Sequence, residues 1–267
     1  MSSVLTNNVP ANKPLHQDSF KVVQISDLHL METPEDYYRD IDVESSFLRI
    51  TKHIQRDHQD ADLLLLTGDC VHSGGAEVYQ RIQNRLNQMN IPWRWIPGNH
   101  DDAELMAMLF GSMLDGMQLG RWQVTLLDST SEGNGWGRGS LSEQELERLA
   151  VRLSLSGPHF IVLHHNPLSV NSRWQDEIAL ANRTRFLALL DQCSDSGVVI
   201  FGHVHQDWEF DYGRWKMFSC PSTGVQFKKC CDSFQIETRV PQALPGYRWF
   251  RLNDDGNFMT RVERCKG

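Results

Sequence analysis

The sequence predicts an α/β (α+β) fold, with two layers of β-sheet and helices on the outside. Short runs that are apolar at every position alternate with stretches of helical periodicity over most of the 267 residues. This pattern is typical of a buried sheet covered by helices. Other apolar runs are separated by turn signals typical of antiparallel hairpins. The length suffices for one large domain with a substantial core.

Five apolar runs are predicted to be strands that are buried on both faces. They lie at residues 22–25, 63–66, 93–96, 160–163 and 198–201. Helices are predicted between them where apolar positions recur at helical spacing. These stretches follow Asp42, run from 77 to 89, follow the capping-box sequence at 142–145, and run from 182 to 193.

The remaining strands are predicted at residues 122–127, 208–211, 215–218, 247–252 and 258–262. A turn around Gly213 joins the second and third of these strands. The sequence Asn-Asp-Asp-Gly at 253–256 joins the last two, and it is a strong hairpin signal. This part of the sheet structure is therefore expected to be antiparallel.

The formal net charge of −8 argues against a sequence-independent grip on a nucleic acid polymer, which needs a cationic surface. No stretch approaches the ~20 apolar residues of a membrane span. Residues 1–19 are polar and carry no signal-peptide pattern. They are predicted to be a flexible leader on a cytoplasmic protein, ahead of a single domain over residues 20–267.

Six cysteines are scattered along the chain without a C-x-x-C pair. The adjacent Cys230 and Cys231 are compatible with a strained vicinal disulfide or a soft-metal site. Two reduced thiols are the favoured interpretation, given a reducing cytoplasm and no zinc-ribbon spacing.

A short polar cluster directly follows each of the five predicted buried strands. In chain order the clusters are Asp27-Leu28-His29, Gly68-Asp69, Gly98-Asn99-His100, His164-His165 and Gly202-His203-Val204-His205. Ligand-binding residues of open sheets gather at the carboxyl ends of strands, so these side chains are expected to converge. Any one cluster alone is more simply explained as a turn or a hydrogen-bonded core histidine. The five together predict a metal site.

The donors in these clusters are carboxylate, imidazole and carboxamide groups, with no thiolate. Such a set suits Fe, Mn, Zn or Co, and it does not select among them. Asp69 is the natural bridge between two cations, because one carboxylate can hold two ions a few ångström apart. Gly68 and Gly98 are expected to let the backbone turn sharply and come close to the metals.

The order of motifs D-x-H, G-D, G-N-H, H and G-H-x-H over residues 20–210 resembles the calcineurin-like metallophosphoesterases. Residues 68–75, with Glu77 and Tyr79, resemble the branch containing class III cyclic nucleotide phosphodiesterases and glycerophosphodiesterases. Residues 127–129, 139–141, 220–223, 225–227 and 245–248 are similar to the bacterial 3′,5′-cyclic AMP phosphodiesterases of that branch. The fold that this resemblance implies is a four-layer αββα sandwich of two mixed β-sheets flanked by helices.

The resemblance implies hydrolysis of cyclic AMP to 5′-AMP by a hydroxide that bridges two divalent metal ions, lowering the cellular level of cyclic AMP. The first metal would be held by Asp27, His29, Asp69 and His205, and the second by Asp69, Asn99, His164 and His203. His100 is the expected catalytic residue. It would hydrogen-bond a phosphoryl oxygen or protonate the departing ribose 3′-oxygen. The residues expected to contact substrate are His29, Asp69, Asn99, His100 and His205.

The main alternative is a phosphodiesterase that acts on glycerophosphodiesters or other small phosphodiesters with the same dinuclear site. A protein phosphatase is disfavoured, because His72 and Ser73 stand where those enzymes usually carry Asp and Arg. A nuclease is disfavoured by the acidic balance of the chain. A non-catalytic scaffold is disfavoured because every expected ligand is present.

Several positions stay open on the sequence alone. His165 is expected to support a neighbouring ligand or to pack, and His72 is expected to reach either substrate or solvent. Candidates for the base pocket, any of which is also compatible with a structural role, are Trp136, Arg138, Trp174, Phe227 and Arg248. The choice of cyclic AMP over cyclic GMP follows from the resemblance only, and no oligomeric state is predicted.

Overall fold

The computed structural model describes residues 18–113, 115–131 and 137–266. In chain order its elements are β1 (Ser19–Ile25), α1 (Val43–Asp57), β2 (Leu63–Thr67), α2 (Ala76–Asn87), β3 (Trp93–Ile96), α3 (Ala103–Phe110), β4 (Gly116–Leu119), β5 (Trp122–Leu126), α4 (Glu143–Leu153), β6 (His159–Val162), α5 (Arg173–Asp176), α6 (Arg183–Gln192), β7 (Gly197–Phe201), β8 (Glu209–Tyr212), β9 (Trp215–Ser219), β10 (Gly246–Asn253) and β11 (Phe258–Arg264). They form two stacked sheets with helices on the outer faces, which confirms the predicted fold class.

Both sheets are mixed. The first has the strand order β11-β10-β1-β2-β3, in which β1, β2 and β3 are parallel and β10 is antiparallel to β1 and β11. The second has the order β4-β5-β6-β7-β9-β8, with four parallel strands at its centre and an antiparallel strand at each edge. The two sheets therefore each place a block of parallel strands beside antiparallel ones.

Three apolar layers hold the sandwich together. Residues such as Val22, Leu65 and Phe160 fill the space between the two sheets. The outer face of the first sheet is buried under α1, α2 and α3, and that of the second is buried under α4 and α6. The strands are thus apolar on both faces because both faces of each sheet are covered.

Side-chain caps fix the start of two of the predicted helices. Asp42 accepts the backbone N–H of Ser45 at 2.8 Å and opens α1. Ser142 accepts the N–H of Glu145 at 3.2 Å and opens α4. The return half of the predicted capping box is absent, because Glu145 instead accepts the N–H of Asp128 at 2.9 Å. Half of the box therefore ties the helix to the preceding loop.

The expectation that the strand at 122–127 belongs to an antiparallel region is wrong on one side. β5 is antiparallel to β4 but parallel to β6. The same holds for the strand predicted at 215–218, since β9 is antiparallel to β8 but parallel to β7. For β5 the reason is that α4 lies between β5 and β6, and a helical crossover returns the chain to the same end of the sheet. The edge strand β4 and the helices α3 and α5 were not predicted, since they are short and carry weak periodicity.

Within the described residues, no helix combines the length and the apolar character needed to cross a bilayer. All six cysteines are free thiols. The predicted leader falls almost entirely on residues 1–17, outside the described ranges. The division into a leader and one domain over residues 20–267 stays a prediction.

Candidate metal centre

The five polar clusters lie at the carboxyl ends of β1, β2 and β3 in the first sheet and of β6 and β7 in the second. Backbone hydrogen bonds join neighbouring clusters within each sheet: Asp27 N–H donates to Gly68 O and Gly202 N–H to His164 O, both at 3.0 Å. Below the clusters, the buried Gln24 amide donates to Phe201 O at 3.1 Å and so links the two sheets. All five clusters therefore face one another at a single edge of the sandwich.

Five residues in these clusters hold backbone conformations that side chains rarely adopt. The φ angles are 54° for Asp27, 48° for His29, 51° for Asp69, 67° for His203 and 51° for His205. A left-handed conformation costs about 1–2 kcal/mol per non-glycine residue. Strain of this kind persists where the surrounding structure imposes it, and it is concentrated at functional sites. Here it turns each side chain inward directly after its strand.

Two glycines allow the clusters to approach each other. A Cβ on Gly68, whose φ is +88°, would lie 2.5 Å from His164 Nδ1. A Cβ on Gly98 would overlap the backbone nitrogen and Oδ1 of Asp69. Glycine is therefore required at both positions by the close approach of the neighbouring loop, in agreement with the sequence-based expectation.

The first ligand group consists of Asp27, His29, Asp69 and His205, all of them buried, with ligand atoms within 4.8 Å of one another. His29 Nε2 lies 3.0 Å from His205 Nε2 and 3.6 Å from Asp69 Oδ2. His205 Nε2 lies 3.5 Å from Asp27 Oδ1. Two carboxylates and two imidazoles thus converge on a volume the size of one ion.

Asp69 belongs to the first ligand group and also faces a second group of ring nitrogens, those of His164, His165 and His203. Its Oδ2 is 3.4 Å from His164 Nε2 and 3.6 Å from His29 Nε2, while its Oδ1 accepts the backbone N–H of His100 at 2.9 Å. Beyond it, His164, His165 and His203 place ring nitrogens within 4.8 Å of one another. One carboxylate oxygen therefore faces a histidine from each group, which is the position of a bridging ligand.

Two buried atoms on the second side lack a hydrogen-bond partner among the described residues. They are Asn99 Oδ1 and His164 Nε2; the latter has Asp69 within 3.4 Å but not in hydrogen-bonding geometry. A buried polar atom without a partner costs about 1–3 kcal/mol. A divalent cation accepting both lone pairs would remove that cost, so the donor set fits a metal on this side as well.

Backbone carbonyls orient three of the histidines. His164 Nδ1 lies 2.8 Å from Thr67 O, His203 Nε2 lies 3.1 Å from Ile178 O, and His205 Nδ1 lies 2.7 Å from Val225 O. A ring N–H that donates to a carbonyl leaves the opposite nitrogen as the lone-pair donor, which is the usual arrangement of metal-ligating histidines. These three imidazoles are held ready to bind a cation.

His165 differs from these three. Its Nδ1 lies 2.8 Å from Ser129 Oγ and its Nε2 lies 3.2 Å from Gly137 O. Both ring nitrogens are therefore engaged, although the residue is fully buried and beside His164. This geometry supports the interpretation of His165 as a packing and supporting residue.

Burial dominates the electrostatics of the centre. It raises the pKa of Asp27 to about 7 and lowers the pKa of His203 and of His205 to about 3. Burial also acts to raise the pKa of Asp69, but His164 and other imidazoles hold it well below its usual range. Conversely, burial acts to lower the pKa of His164, and Asp69 raises it to about 9. Metal binding requires neutral imidazoles and ionised carboxylates. His203, His205 and Asp69 are held in those states, whereas His164 and any protonated Asp27 would release a proton to a bound cation.

His100 lies at the mouth of the centre. Its side chain is exposed, and its ring is edge-on to the His29 ring with centroids 4.9 Å apart. The His72 ring lies 5.2 Å from the His100 ring and 5.7 Å from the His29 ring, so the three rings cluster together. His100 is thus beside the ligand groups yet open to an incoming molecule, unlike the buried histidines. His72 also lies at this mouth, half-buried.

Asp101 is a functional residue that sequence reasoning missed. Its buried carboxylate accepts the backbone N–H groups of Cys70 and Gly98, both at 2.9 Å, and the Tyr79 hydroxyl at 3.2 Å. It therefore fastens the loop that carries Asp69 to the loop that carries Asn99. The only signal in the sequence is an acidic residue directly after Gly-Asn-His, and that signal does not reveal which amides it accepts.

The candidates for a base pocket differ in their burial and in the groups that they contact. Arg248 is not in a loop: it lies in β10, is 1% exposed, and donates to Ser219 O at 3.0 Å. Phe227 stacks on His205, with ring centroids 3.9 Å apart and an interplanar angle of 12°. Trp174 packs on Phe227 at 5.3 Å. Arg138 is exposed, and Trp136 lies outside the described residues.

Comparison with known proteins places this geometry in context. A family model described as calcineurin-like phosphoesterase matches residues 20–207. The chain is 34% identical over 249 residues to the 3′,5′-cyclic-nucleotide phosphodiesterase alr5338 of Nostoc sp., covering 91% of each protein. It is 31% identical over 259 residues to the 3′,5′-cyclic adenosine monophosphate phosphodiesterase CpdA of Pseudomonas aeruginosa, covering 95% of this chain and 93% of that protein.

A likeness to solved structures concerns the fold. A dimetal phosphatase from Danio rerio superposes with a TM-score of 0.61 at 16% identity, covering 90% of this chain and 98% of that one. At this identity the likeness extends to the arrangement of the two sheets and not to the substrate.

Proposed function

Because the chain belongs to the calcineurin-like phosphoesterase family, we propose that it hydrolyses 3′,5′-cyclic AMP to 5′-AMP. The observation that carries the proposed chemistry is the position of Asp69 Oδ2, 3.6 Å from His29 Nε2 and 3.4 Å from His164 Nε2. The choice of substrate is supported by the names of relatives that match the chain over more than nine-tenths of its length.

Two divalent metal ions are part of this proposal. The first would be held by Asp27, His29, Asp69 and His205, and the second by Asp69, Asn99, His164 and His203. Oxygen and imidazole donors without thiolate favour Fe, Mn, Zn or Co, and metal availability in the cell decides among them. Two such ions, when bound, supply a nucleophile from water near neutral pH and offset negative charge on the phosphoryl group.

Side chains of the protein hydrogen-bond the substrate and keep the metal ligands in place. His100 donates a ring N–H either to a phosphoryl oxygen or to the 3′-oxygen as its bond to phosphorus breaks. Its backbone N–H is held by Asp69 at 2.9 Å, so the ring is positioned by the same residue that joins the ligand groups. The carbonyl-bound His164, His203 and His205 keep the centre rigid during the reaction, because their rings cannot turn without breaking a hydrogen bond.

The free thiols of all six cysteines support a reducing, cytoplasmic location for the enzyme. Cyclic AMP is the small-molecule partner in this proposal, and no nucleic acid polymer is involved. A formal charge of −8 is consistent with both statements, since the local positive charge would come from bound cations.

The test is a comparison of kcat/KM for cyclic AMP, cyclic GMP and glycerophosphodiesters at matched metal loading. We expect cyclic AMP to give the highest value and 5′-AMP to be its product. A much higher kcat/KM for a glycerophosphodiester would show that glycerophosphodiesters, and not cyclic AMP, are the substrates. Stoichiometric metal without turnover of any phosphodiester would instead indicate a binding scaffold.

A further inference from the structure

A tight turn lies directly beside the first ligand group. Tyr38 and Ile41 exchange both backbone hydrogen bonds at 3.0 Å, and Tyr38 stacks on His29 with centroids 4.8 Å apart. The Tyr38 ring also lies 4.2 Å from the His72 ring. The turn is therefore anchored to a predicted metal ligand through an aromatic stack.

The two residues at the tip of this turn are Arg39 and Asp40, with φ angles of 53° and 64°. A two-residue turn with both φ angles positive normally carries Asn-Gly or Gly-Gly, because other side chains disfavour that conformation. The chain nevertheless holds a large cationic side chain there. The conformation presents Arg39 outward at the mouth of the centre.

The Arg39 guanidinium stacks over the Phe234 ring, with 4.7 Å from Cζ to the ring centroid, and lies 5.7 Å from the Tyr38 centroid. Its side chain is exposed. Among the residues that the structure describes, it forms no ion pair with a carboxylate. An exposed guanidinium without a carboxylate partner can offer its open surface to a ligand.

Phe234 belongs to the opposite wall. It is 38% exposed and packs on Phe227 at 5.2 Å, and Phe227 in turn stacks on His205. The loop that carries Phe234 is closed by a hydrogen bond from Lys228 N–H to Gln235 O at 2.9 Å. A chain of contacts thus runs over the first ligand group in the order His29, Tyr38, Arg39, Phe234, Phe227, His205.

We propose that Arg39 and Phe234 form the nucleoside subsite, in which the Arg39 guanidinium stacks on the base of the substrate. This inference rests on the proposed function. With the cyclic phosphate at the ligand groups, the nucleoside extends outward to the rim where the Arg39–Phe234 pair lies. A planar cation on an aromatic ring suits a purine, since every base offers a π-face and a larger face stacks more strongly.

The test uses Arg39→Gly and Arg39→Lys. Glycine removes the side chain while accepting the positive φ of this turn, so the fold is preserved. Lysine keeps the charge but cannot stack as a plane. Arg214→Gly is the matched control, because Arg214 is an exposed arginine in the two-residue turn of the β8–β9 hairpin, where it donates to Ser194 O.

In Arg39→Gly, we expect kcat/KM for cyclic AMP to fall about 10-fold, mainly through KM, and kcat/KM for cyclic UMP to fall much less. Arg39→Lys should not restore the value for cyclic AMP, and Arg214→Gly should match the wild type. Phe234→Ala should reproduce part of the loss. An equal loss for both nucleotides, or full rescue by lysine, would instead indicate a charge contact to the phosphate and overturn the proposal.

Adenosine separates this inference from the proposed function, because it lacks the phosphate. It should inhibit wild-type turnover of bis(p-nitrophenyl) phosphate, and Arg39→Gly should weaken that inhibition about 10-fold. The same effect on inhibition by adenosine is expected even if the wild type fails to hydrolyse cyclic AMP. Failure to hydrolyse cyclic AMP would refute the proposed function and leave the nucleoside subsite standing. The subsite would be refuted if adenosine did not inhibit the wild type. It would also be refuted if adenosine inhibited Arg39→Gly as strongly as the wild type.

Discussion

Replacing Gly98 by alanine perturbs the position of Asp69, the proposed bridging ligand, without changing a ligand residue. Gly98 lies between β3 and Asn99, and its Cα faces the loop that carries Asp69. A Cβ there would overlap the Asp69 backbone nitrogen and Oδ1, and would lie 2.9 Å from Asp69 Cγ, where ordinary contacts begin at 3.4 Å. The contact with the Asp69 backbone nitrogen, 2.2 Å, must lengthen to at least 3.0 Å, so the two loops must separate by about 0.8 Å.

That separation strains two hydrogen bonds that span the loops. They are His100 N–H to Asp69 Oδ1 and Cys70 N–H to Asp101 Oδ1, both at 2.9 Å. Overpacking costs about 1–3 kcal/mol, and each weakened bond adds about 1 kcal/mol. A displacement of about 1 Å at a reacting centre can lower a rate 100-fold. We expect Gly98→Ala to lose about 3–5 kcal/mol of stability and 10- to 100-fold in kcat.

The assay combines urea denaturation, metal content and steady-state kinetics on one preparation. Gly75→Ala is the matched control, because a Cβ on Gly75 meets nothing closer than Glu77 Oε2 at 3.5 Å. Gly75 is the N-cap of α2, so this variant should lose up to about 1 kcal/mol of stability while keeping wild-type metal content and kcat. If Gly98→Ala retains full metal content and a kcat within about threefold of the wild type, the close approach of the two loops is not what positions the bridge.

Three further changes test separate parts of the centre. His100→Ala should lower kcat about 100-fold with metal content unchanged, whereas loss of a metal would contradict its role at the mouth. Asn99→Ala should deplete the second metal while the first stays bound, as measured by metal analysis. In chelated protein, burial raises the pKa of Asp27 to about 7 from its usual 3.8, so its stabilising contribution is complete below 3.8 and is lost as the pH rises through 7. At pH 8, Asp27→Asn should therefore have a higher free energy of unfolding than the chelated wild type, by about 4 kcal/mol at most. Near pH 4 the two proteins should be equally stable. An equal gain in stability at both pH values would contradict this cause.

The sequence predicts the strands and the convergence of the clusters well, for a physical reason. A strand covered on both faces must be apolar throughout, so the five buried runs stand out. A polar cluster directly after such a run lies at the strand's carboxyl end by necessity. The positions of Asp69 and His164 follow from these two rules without any knowledge of the loops.

Other features depend on contacts between distant segments that no local pattern encodes. The turn at Arg39 contains no glycine, so its two positive φ angles could not be predicted. The role of Asp101 depends on amides from two different loops, and the stack of Phe227 on His205 joins residues 22 positions apart. Arg248 illustrates the reverse error, because a cationic residue near a strand end lies inside the core.

The central claim is that this site hydrolyses cyclic AMP to 5′-AMP. Phosphorus NMR of cyclic AMP incubated with metal-loaded protein tests it directly, with Asp69→Asn as the inactive control. The account predicts conversion to 5′-AMP as the single product by the wild type and no conversion by the variant. Formation of 3′-AMP, conversion by Asp69→Asn, or unchanged cyclic AMP alongside rapid cleavage of a glycerophosphodiester would contradict it.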